Sequence, residues 1–402
     1  MLSALLLLLL LLLLLSPASP LEVFVLGGSG RVGASTIRAL RDLSPSSTFT
    51  ILGRSPPASL TSPLPPHTFL PYTLPASPSE ADVAPLAALL SPASLLIHTA
   101  GPFQSVRFPL PLLACVEAGV DYLDVCDETA LIREILKGDL SERARKKGVS
   151  AIVSAGIWPG CSALLARRAM ALLPPAAAPA SPASSVLYDF YTAGTGNAGP
   201  TIVSATFLLL ATPVLEWRAG SLAEGDAWTE EREAGFGPEV PGRKLLRNLD
   251  CPDTYTLGLC TGTPNVSSSF ATAPEVWNQL FSLSKRLIPK SLLLNRAAMQ
   301  GLAVFSNPII RLVDKLVGAT NAIQVTATAP TGERARARHV HRDLEEAVGQ
   351  ATASFALEIL EGKVEPGVFV PAGLSRENAD AILDRVCEVG KGGVLDYEVR
   401  LL

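Results

Sequence analysis

Three glycines at fixed offsets, Gly28, Gly30 and Gly33, constrain this chain more than any other feature. They follow directly on a short apolar run, residues 21–26, and open a segment at residues 32–43 in which Ile37, Leu40 and Leu43 share one helical face. An apolar run of that length reads as a buried parallel strand. In such a strand–turn–helix the first glycine permits the tight turn, the second lets a pyrophosphate approach the backbone, and the third lets helix and strand pack closely. Phosphate then rests on the unpaired N–H groups of the helix N-terminus. A lone G-x-G-x-x-G is a weak signal; the strand before it and the helix after it give it meaning. Gly27, Gly28, Ser29, Gly30, Arg31, Val32 and Gly33 are therefore the expected phosphate loop of a dinucleotide site.

The rest of the first half alternates. Strand-like runs at residues 48–52, 67–74, 94–99, 122–125 and 150–154 are separated by helical segments at 82–90 and 110–118 and by two short helices, the second ending at Gly148. Gly119 stands where a helix C-terminus favours glycine. This alternation predicts an α/β fold, a Rossmann-type doubly wound parallel sheet. Residues 55–80 hold eight prolines and predict no helix.

The end of the second strand chooses between cofactors. An acid there would bind the ribose hydroxyls, but this chain has Gly53, Arg54 and Ser55. A guanidinium can grip a 2′-phosphate bidentately, so NADP is the expected cofactor; an arginine in solvent is the other reading. The fourth strand ends in His98-Thr99-Ala100-Gly101-Pro102-Phe103. Ligands in open α/β sheets bind beyond the carboxyl ends of the strands, so Thr99, Ala100, Gly101, Pro102 and Phe103 are expected beside the cofactor. His98 reads as a core histidine or as a catalytic one.

After residue 170 the pattern changes. Residues 174–182 are rich in Ala and Pro, a linker or loop. Strand-like pieces at 186–191, 254–260, 322–329 and 334–341 then dominate, the last two joined by Pro330-Thr331-Gly332-Glu333, a hairpin signal. Residues 201–215 read as a buried helix. A second α+β domain built on an antiparallel sheet is expected. Val348, Ala351, Phe355 and Ile359 stand at helical spacing before Gly362. The expected organisation is a leader at 1–20, a dinucleotide-binding domain at 21–170, a substrate or dimerisation domain at 171–345, and a C-terminal helix and strands at 346–402 returning to the first domain.

Composition sets the remaining bounds. With 48% hydrophobic and 17% charged residues over 402, the chain is globular. A formal net charge of −4 supplies no basic field for nucleic acid, and none is expected as a partner. Lys and Arg cluster at 143–147, expected in the last turn of a helix where cations suit the dipole, and at 334–342, expected on the solvent face of a strand. The six cysteines form no C-x-x-C and the four histidines complete no zinc pattern, so no metal is expected. Disulfides are left open, Cys251 and Cys260 being the only near pair in the second half. None of the six tyrosines has Lys four positions on, which excludes the Tyr-x-x-x-Lys of short-chain dehydrogenases; the metal set of zinc alcohol dehydrogenases is absent too.

Residues 5–15 are an unbroken run of eleven leucines, followed by Ser16-Pro17-Ala18-Ser19-Pro20. The run is short for a bilayer span and matches the apolar region of a signal peptide, although no basic residue precedes Arg31. A targeting leader to the secretory pathway or an organelle is expected, with membrane association through it. A retained anchor, a misplaced start codon and a cytoplasmic location are the alternatives.

The motifs GGSGRVG, ILGRS and HTAGPF, together with ACVEAGVDYLDVCDE at 114–128, SAGIWPGCSALLA at 154–166 and EILEGKVEPGVFVPAGL near the C-terminus, resemble the saccharopine dehydrogenase-like family of NAD(P)-binding oxidoreductases. The likeness covers residues 21–170 and 345–374 and is thin between them. It implies hydride transfer at a C–N bond, in an imine derived from an amino acid, or at a C–C double bond, on a small-molecule substrate. It implies that Gly101, Pro102 and Phe103 border the nicotinamide and that Tyr122, Asp124 and Glu128 line the site mouth. Asp124 and Glu128 then read as general acid–base groups, or Asp124 as a strand-end carboxylate bonded to backbone. Two departures stand out. The proline-rich stretch replaces the helix expected after Arg54, and Asp127 stands where the family often has Gly. A homodimer remains open. The competing reading is a non-catalytic NADP-binding protein, a membrane-associated scaffold or redox sensor.

Overall fold

The structure, a computed structural model, describes residues 21–57, 62–175, 181–194 and 200–402. The expected leader at 1–20 lies outside the described residues.

The first half folds as its apolar pattern requires. β1 (Glu22–Leu26), α1 (Arg31–Leu43), β2 (Thr48–Gly53), β3 (Thr68–Pro71), α2 (Val83–Leu90), β4 (Leu95–His98), α3 (Leu110–Ala118), β5 (Asp121–Asp124), α4 (Thr129–Lys137), α5 (Leu140–Lys147) and β6 (Ser150–Ile152) follow one another in the chain. Val23, Val25, Ile51, Leu95, Leu96 and Ile97 are wholly buried, as strands covered by helices on both faces demand. Gly119 and Gly148 end α3 and α5 in the left-handed conformation, which glycine adopts without a Cβ penalty. Arg145, Lys146 and Lys147 sit in the last turn of α5, as expected.

These strands form one parallel sheet in the order β15-β6-β5-β4-β1-β2-β3, completed by β15 (Gly367–Phe369) from the far end of the chain. The order reverses between β1 and β4. Loops leaving those two strands diverge there and open the crevice in which such sheets bind ligands.

The second half runs α6 (Cys161–Met170), β7 (Ser185–Ala193), α7 (Pro200–Leu209), β8 (Val214–Arg218), β9 (Ser221–Gly225), β10 (Glu231–Gly235), β11 (Arg243–Asn248), α8 (Pro252–Thr261), β12 (Val266–Ala273), α9 (Val276–Leu287), α10 (Lys290–Leu293), α11 (Arg296–Val317), β13 (Thr320–Thr328) and β14 (Arg334–His341). After it come α12 (Leu344–Leu360), β15, α13 (Arg376–Val386) and β16 (Val394–Leu401). The second sheet has the order β10-β11-β12-β7-β13-β14-β16, with β8 and β9 attached at β12. It is mixed, because β7 and β12 run parallel while the other pairs are antiparallel.

Three expectations need correction. The segment at 254–260, expected as a strand, is part of α8; Pro252 in its first turn and Gly262 after its end are the helix signals that outweigh β propensity. The apolar stretch at 201–215 is helical only to Leu209 and then turns into β8. The arginines of β14 do not all face solvent. β16 pairs beside β14, and Arg338 is buried with its guanidinium on Asp396 (2.6 Å) and Glu398 (3.1 Å). All six cysteines are free thiols.

α12 packs along α1, where Gly349 leaves no room for a side chain: a Cβ would lie 2.4 Å from Ser35 Oγ. Thr352 Oγ1 also donates to the Ala155 carbonyl (3.1 Å). The helix at 344–360 thus covers the parallel sheet.

Candidate functional site

The glycine turn is built from close backbone contacts. Gly27 has φ +88°, and a Cβ there would lie 2.8 Å from the Ala100 amide nitrogen. A Cβ on Gly33 would lie 2.5 Å from the Gly27 carbonyl oxygen and 2.7 Å from Thr99 Oγ1. A Cβ on Gly30, by contrast, meets only the Gly27 oxygen, at 3.2 Å, on an exposed face. Gly27 and Gly33 are therefore closed by protein, a Cβ on Gly28 would lie 3.1 Å from Ile51 and from the Val25 carbonyl oxygen, and Gly30 is open to a ligand. Gly30 caps α1 with no side-chain hydrogen bond, and the first turn carries no acid. The N–H groups and the positive end of the helix dipole are left for an anion. These residues fit a dinucleotide pyrophosphate.

The loops flanking this turn come to it. Thr99 Oγ1 donates to the Leu26 carbonyl (3.1 Å) at the end of β1. Ser29 Oγ donates to the Ser55 carbonyl (2.6 Å), joining the turn to the end of β2. Arg54 is exposed beside it and has no ion-pair partner among the described residues. Arg31 is exposed and lies 4.0 Å from Glu345 at the start of α12. The structure thus brings together Gly27–Gly33, Gly53–Ser55 and residues 99–103 at one edge of the sheet. Gly101, exposed, leads into Pro102 and the buried Phe103, whose ring lies 4.9 Å from that of His98.

Tyr122 and Asp124 lie in β5, next to β4, and Glu128 is the N-cap residue at the start of α4; all three are buried. Tyr122 donates to Asp124 Oδ2 (2.9 Å), and its hydroxyl lies 3.2 Å from His98 Nδ1. The other Asp124 oxygen accepts the N–H groups of Cys126 (3.0 Å) and Ser154 (2.7 Å). Burial raises the Asp124 carboxyl to about 6 despite these three donors. This is the strand-end role for Asp124: its oxygens tie β5 to the segment after β6. Burial likewise lowers His98 to about 4, so its imidazole is neutral at pH 7.

Glu128 is held differently. Its oxygens accept from Arg107 Nη1 (2.7 Å) and from the Ser105 N–H (3.2 Å), pinning the loop after Phe103 to the start of α4. Three residues absent from the sequence expectations complete this mouth. Arg296, at the start of α11, donates to the Pro102 carbonyl (2.6 Å) across 194 positions of chain. Gln104, only 1% exposed, lies against the Asp127 carboxyl, which its side chain helps to hold. Buried polar groups are nearly always satisfied, and Asp127, raised to about 6 chiefly by burial, is the polar group beside Gln104. Asp250 accepts from Thr129 Oγ1 (2.6 Å) and the Leu215 N–H (2.9 Å); burial raises it to about 7, with the nearby charges of Glu128 and Asp127 adding to the effect. No local pattern in the sequence marks Arg296 or Asp250, because their partners lie in the other half of the chain. Gln104 had one signal, a polar residue directly after the apolar turn.

Beyond β6, Trp158 stacks on Phe190 (4.7 Å) and Phe270 (5.7 Å) of the second sheet. That sheet thereby meets the carboxyl edge of the first.

Both sheets of this chain superpose on solved structures. Saccharopine dehydrogenase (L-Glu forming) from Saccharomyces cerevisiae matches with a TM-score of 0.56 and 13% identity, over 94% of this chain and 99% of that one. The chain has the saccharopine dehydrogenase fold. A homospermidine synthase from Legionella pneumophila, in complex with NAD, shares it with a TM-score of 0.62 and 11% identity, over 96% and 93%. At these identities the likeness is one of fold, and the saccharopine dehydrogenase fold extends over both sheets and the closing helices. No protein-family model matches the sequence, and no curated protein matches it.

Proposed function

We propose that this chain is an NADP-dependent oxidoreductase. The observation that carries the reading is the glycine turn: closed by protein at Gly27 and Gly33, open at Gly30, and set at the reversal point of a parallel sheet. Its neighbours in fold support a nicotinamide dinucleotide, since one is a dehydrogenase and the other is in complex with NAD. Arg54 supports NADP over NAD, because it offers a charge and paired donors at the ribose end with no acid at 53–55.

In this reading Gly28 and Gly30 and the first turn of α1 hold the pyrophosphate, and Arg54 and Ser55 hold the 2′-phosphate. The backbone of residues 99–103 borders the nicotinamide, which when bound supplies a hydride for a C–N or C–C double bond. Arg107, Glu128 and Arg296 fix the loop that carries Pro102 and Phe103. Neutral His98 and the protonatable Asp124 lie beneath this surface and support it.

Turnover is the test. NADPH consumption with cyclic imines or with enoyl thioesters identifies the double bond reduced. A second reading, cofactor binding without turnover, draws on the burial of Tyr122, Asp124 and Glu128, whose polar atoms are engaged with protein. Tight NADPH binding with no consumption across both substrate classes would favour that reading.

A further inference from the structure

Helices α9 and α11 carry apolar side chains on the outside. On α9, Val276, Leu280, Leu283 and Leu287 recur at helical spacing and are exposed, Leu287 to 68%. On α11, Phe305, Ile309 and Leu312 do the same with Val304 beside them, Phe305 at 79%. Leu292 and Leu294 of the connecting segment are exposed as well. The opposite side of α11 is properly buried: Met299 packs with Leu208, Ala211 and Leu293 in a small separate core. α11 therefore has one apolar face in the protein and one in solvent, while α9 turns the buried Asn278 and the half-buried Phe281 inward. Isolated exposed leucines are ordinary, but ten large apolar side chains on one consecutive stretch mark an interaction surface.

Charge selects the occupant. Between Glu275 and Asp314 there is no acidic residue, while Lys285, Arg286, Lys290, Arg296 and Arg311 are all cationic, in a chain whose net charge is −4. Arg286 and Lys290 are exposed between the two apolar faces. A two-fold interface with a second copy would set this basic stretch against itself, with no acid in it to pair. An anionic lipid surface suits both features at once: apolar side chains enter the acyl boundary and the exposed Arg286 and Lys290 meet the headgroups. Among the described residues no helix is long and apolar enough to cross a membrane, so the surface is one that lies on the bilayer. The eleven leucines at 5–15 supply a second apolar element, and two weak elements together anchor where one alone does not.

We propose that α9, α10 and α11 form a docking face for an anionic lipid bilayer. Because Arg296 at the start of α11 holds the Pro102 carbonyl, docking places the site mouth next to the membrane.

The test is co-sedimentation of the full chain with phosphatidylcholine vesicles, with and without phosphatidylserine. Wild type is expected to bind the mixed vesicles more tightly. Arg286→Glu with Lys290→Glu should lower partitioning onto mixed vesicles at least about twentyfold, at about fivefold for each cation lost, and change little on phosphatidylcholine alone. Leu287→Ser with Phe305→Ser should weaken binding to both vesicle types. All four positions are exposed, so melting temperatures should hold and exclude misfolding. Vesicle binding that both double variants retain would overturn the proposal and assign binding to residues 5–15. Failure of wild type to bind either vesicle would overturn it too, as would a dimer in sedimentation equilibrium that the Leu287 and Phe305 variant dissociates.

Discussion

The backbone of Gly33 rests against the carbonyl oxygen of Gly27, so closely that a Cβ on Gly33 would sit 2.5 Å from it. Gly30, three positions earlier, faces outward with only one neighbour, at 3.2 Å. Two glycines of one motif therefore do different work. Gly33→Ala is expected to destabilise the fold by about 1–3 kcal/mol, as overpacking does, seen as a lower denaturation midpoint. Gly30→Val should keep most of its stability and lose cofactor affinity. Calorimetric titration checks the second; unchanged affinity would remove the loop from the site.

Much of this was legible in the sequence for a physical reason. A phosphate turn needs glycine at set positions, and a parallel strand covered on both faces needs a continuous apolar run, so β1, α1, β4 and the loops at their ends could be read locally. The second half could not. β8–β9 and β10–β11 are short hairpins with little apolar alternation to announce them, and α8 carries the side chains of a strand. The mouth of the site was hidden for another reason: Arg296 meets Pro102, and Asp250 meets Thr129, only after the two sheets come together.

Glu128 joins the loop after Phe103 to α4 through Arg107 and Ser105. Glu128→Ala removes two charge-assisted hydrogen bonds, one of them to a largely exposed arginine. A loss of about 1–3 kcal/mol is expected in urea unfolding. A loss below the error of the measurement would show that the loop is held without it.

Asp250 gives a pH signature. Its folded-state pKa, about 7, lies above the ordinary carboxylate value because of burial. The folded state therefore holds its proton more tightly, and the stability this contributes is full below pH 4 and lost as pH rises through about 7. Asp250→Asn mimics the protonated form and can keep both hydrogen-bond partners. Its melting temperature should gain on wild type steadily from acid to neutral pH. A difference that does not vary with pH would show that Asp250 is not displaced in its titration.

Removal of residues 1–20 should leave a folded protein that binds cofactor, because β1 begins at Glu22 and is paired on both sides by β2 and β4. Circular dichroism and cofactor titration check this. A truncated chain without a cooperative melt would place the leucines in the core.

The central claim is dinucleotide binding with a preference set by Arg54, and fluorescence titration of the wild-type protein with NADPH and with NADH tests it most directly. Hydrogen bonds to a charged group contribute about 1.5–3 kcal/mol, which corresponds to roughly tenfold to hundredfold in affinity. NADPH is expected to bind at least about tenfold more tightly than NADH. Added salt should erode that preference, and Arg54→Asp should reverse it. Equal affinities, or tighter NADH, would contradict the assignment of Arg54, and binding of neither cofactor would contradict the account as a whole.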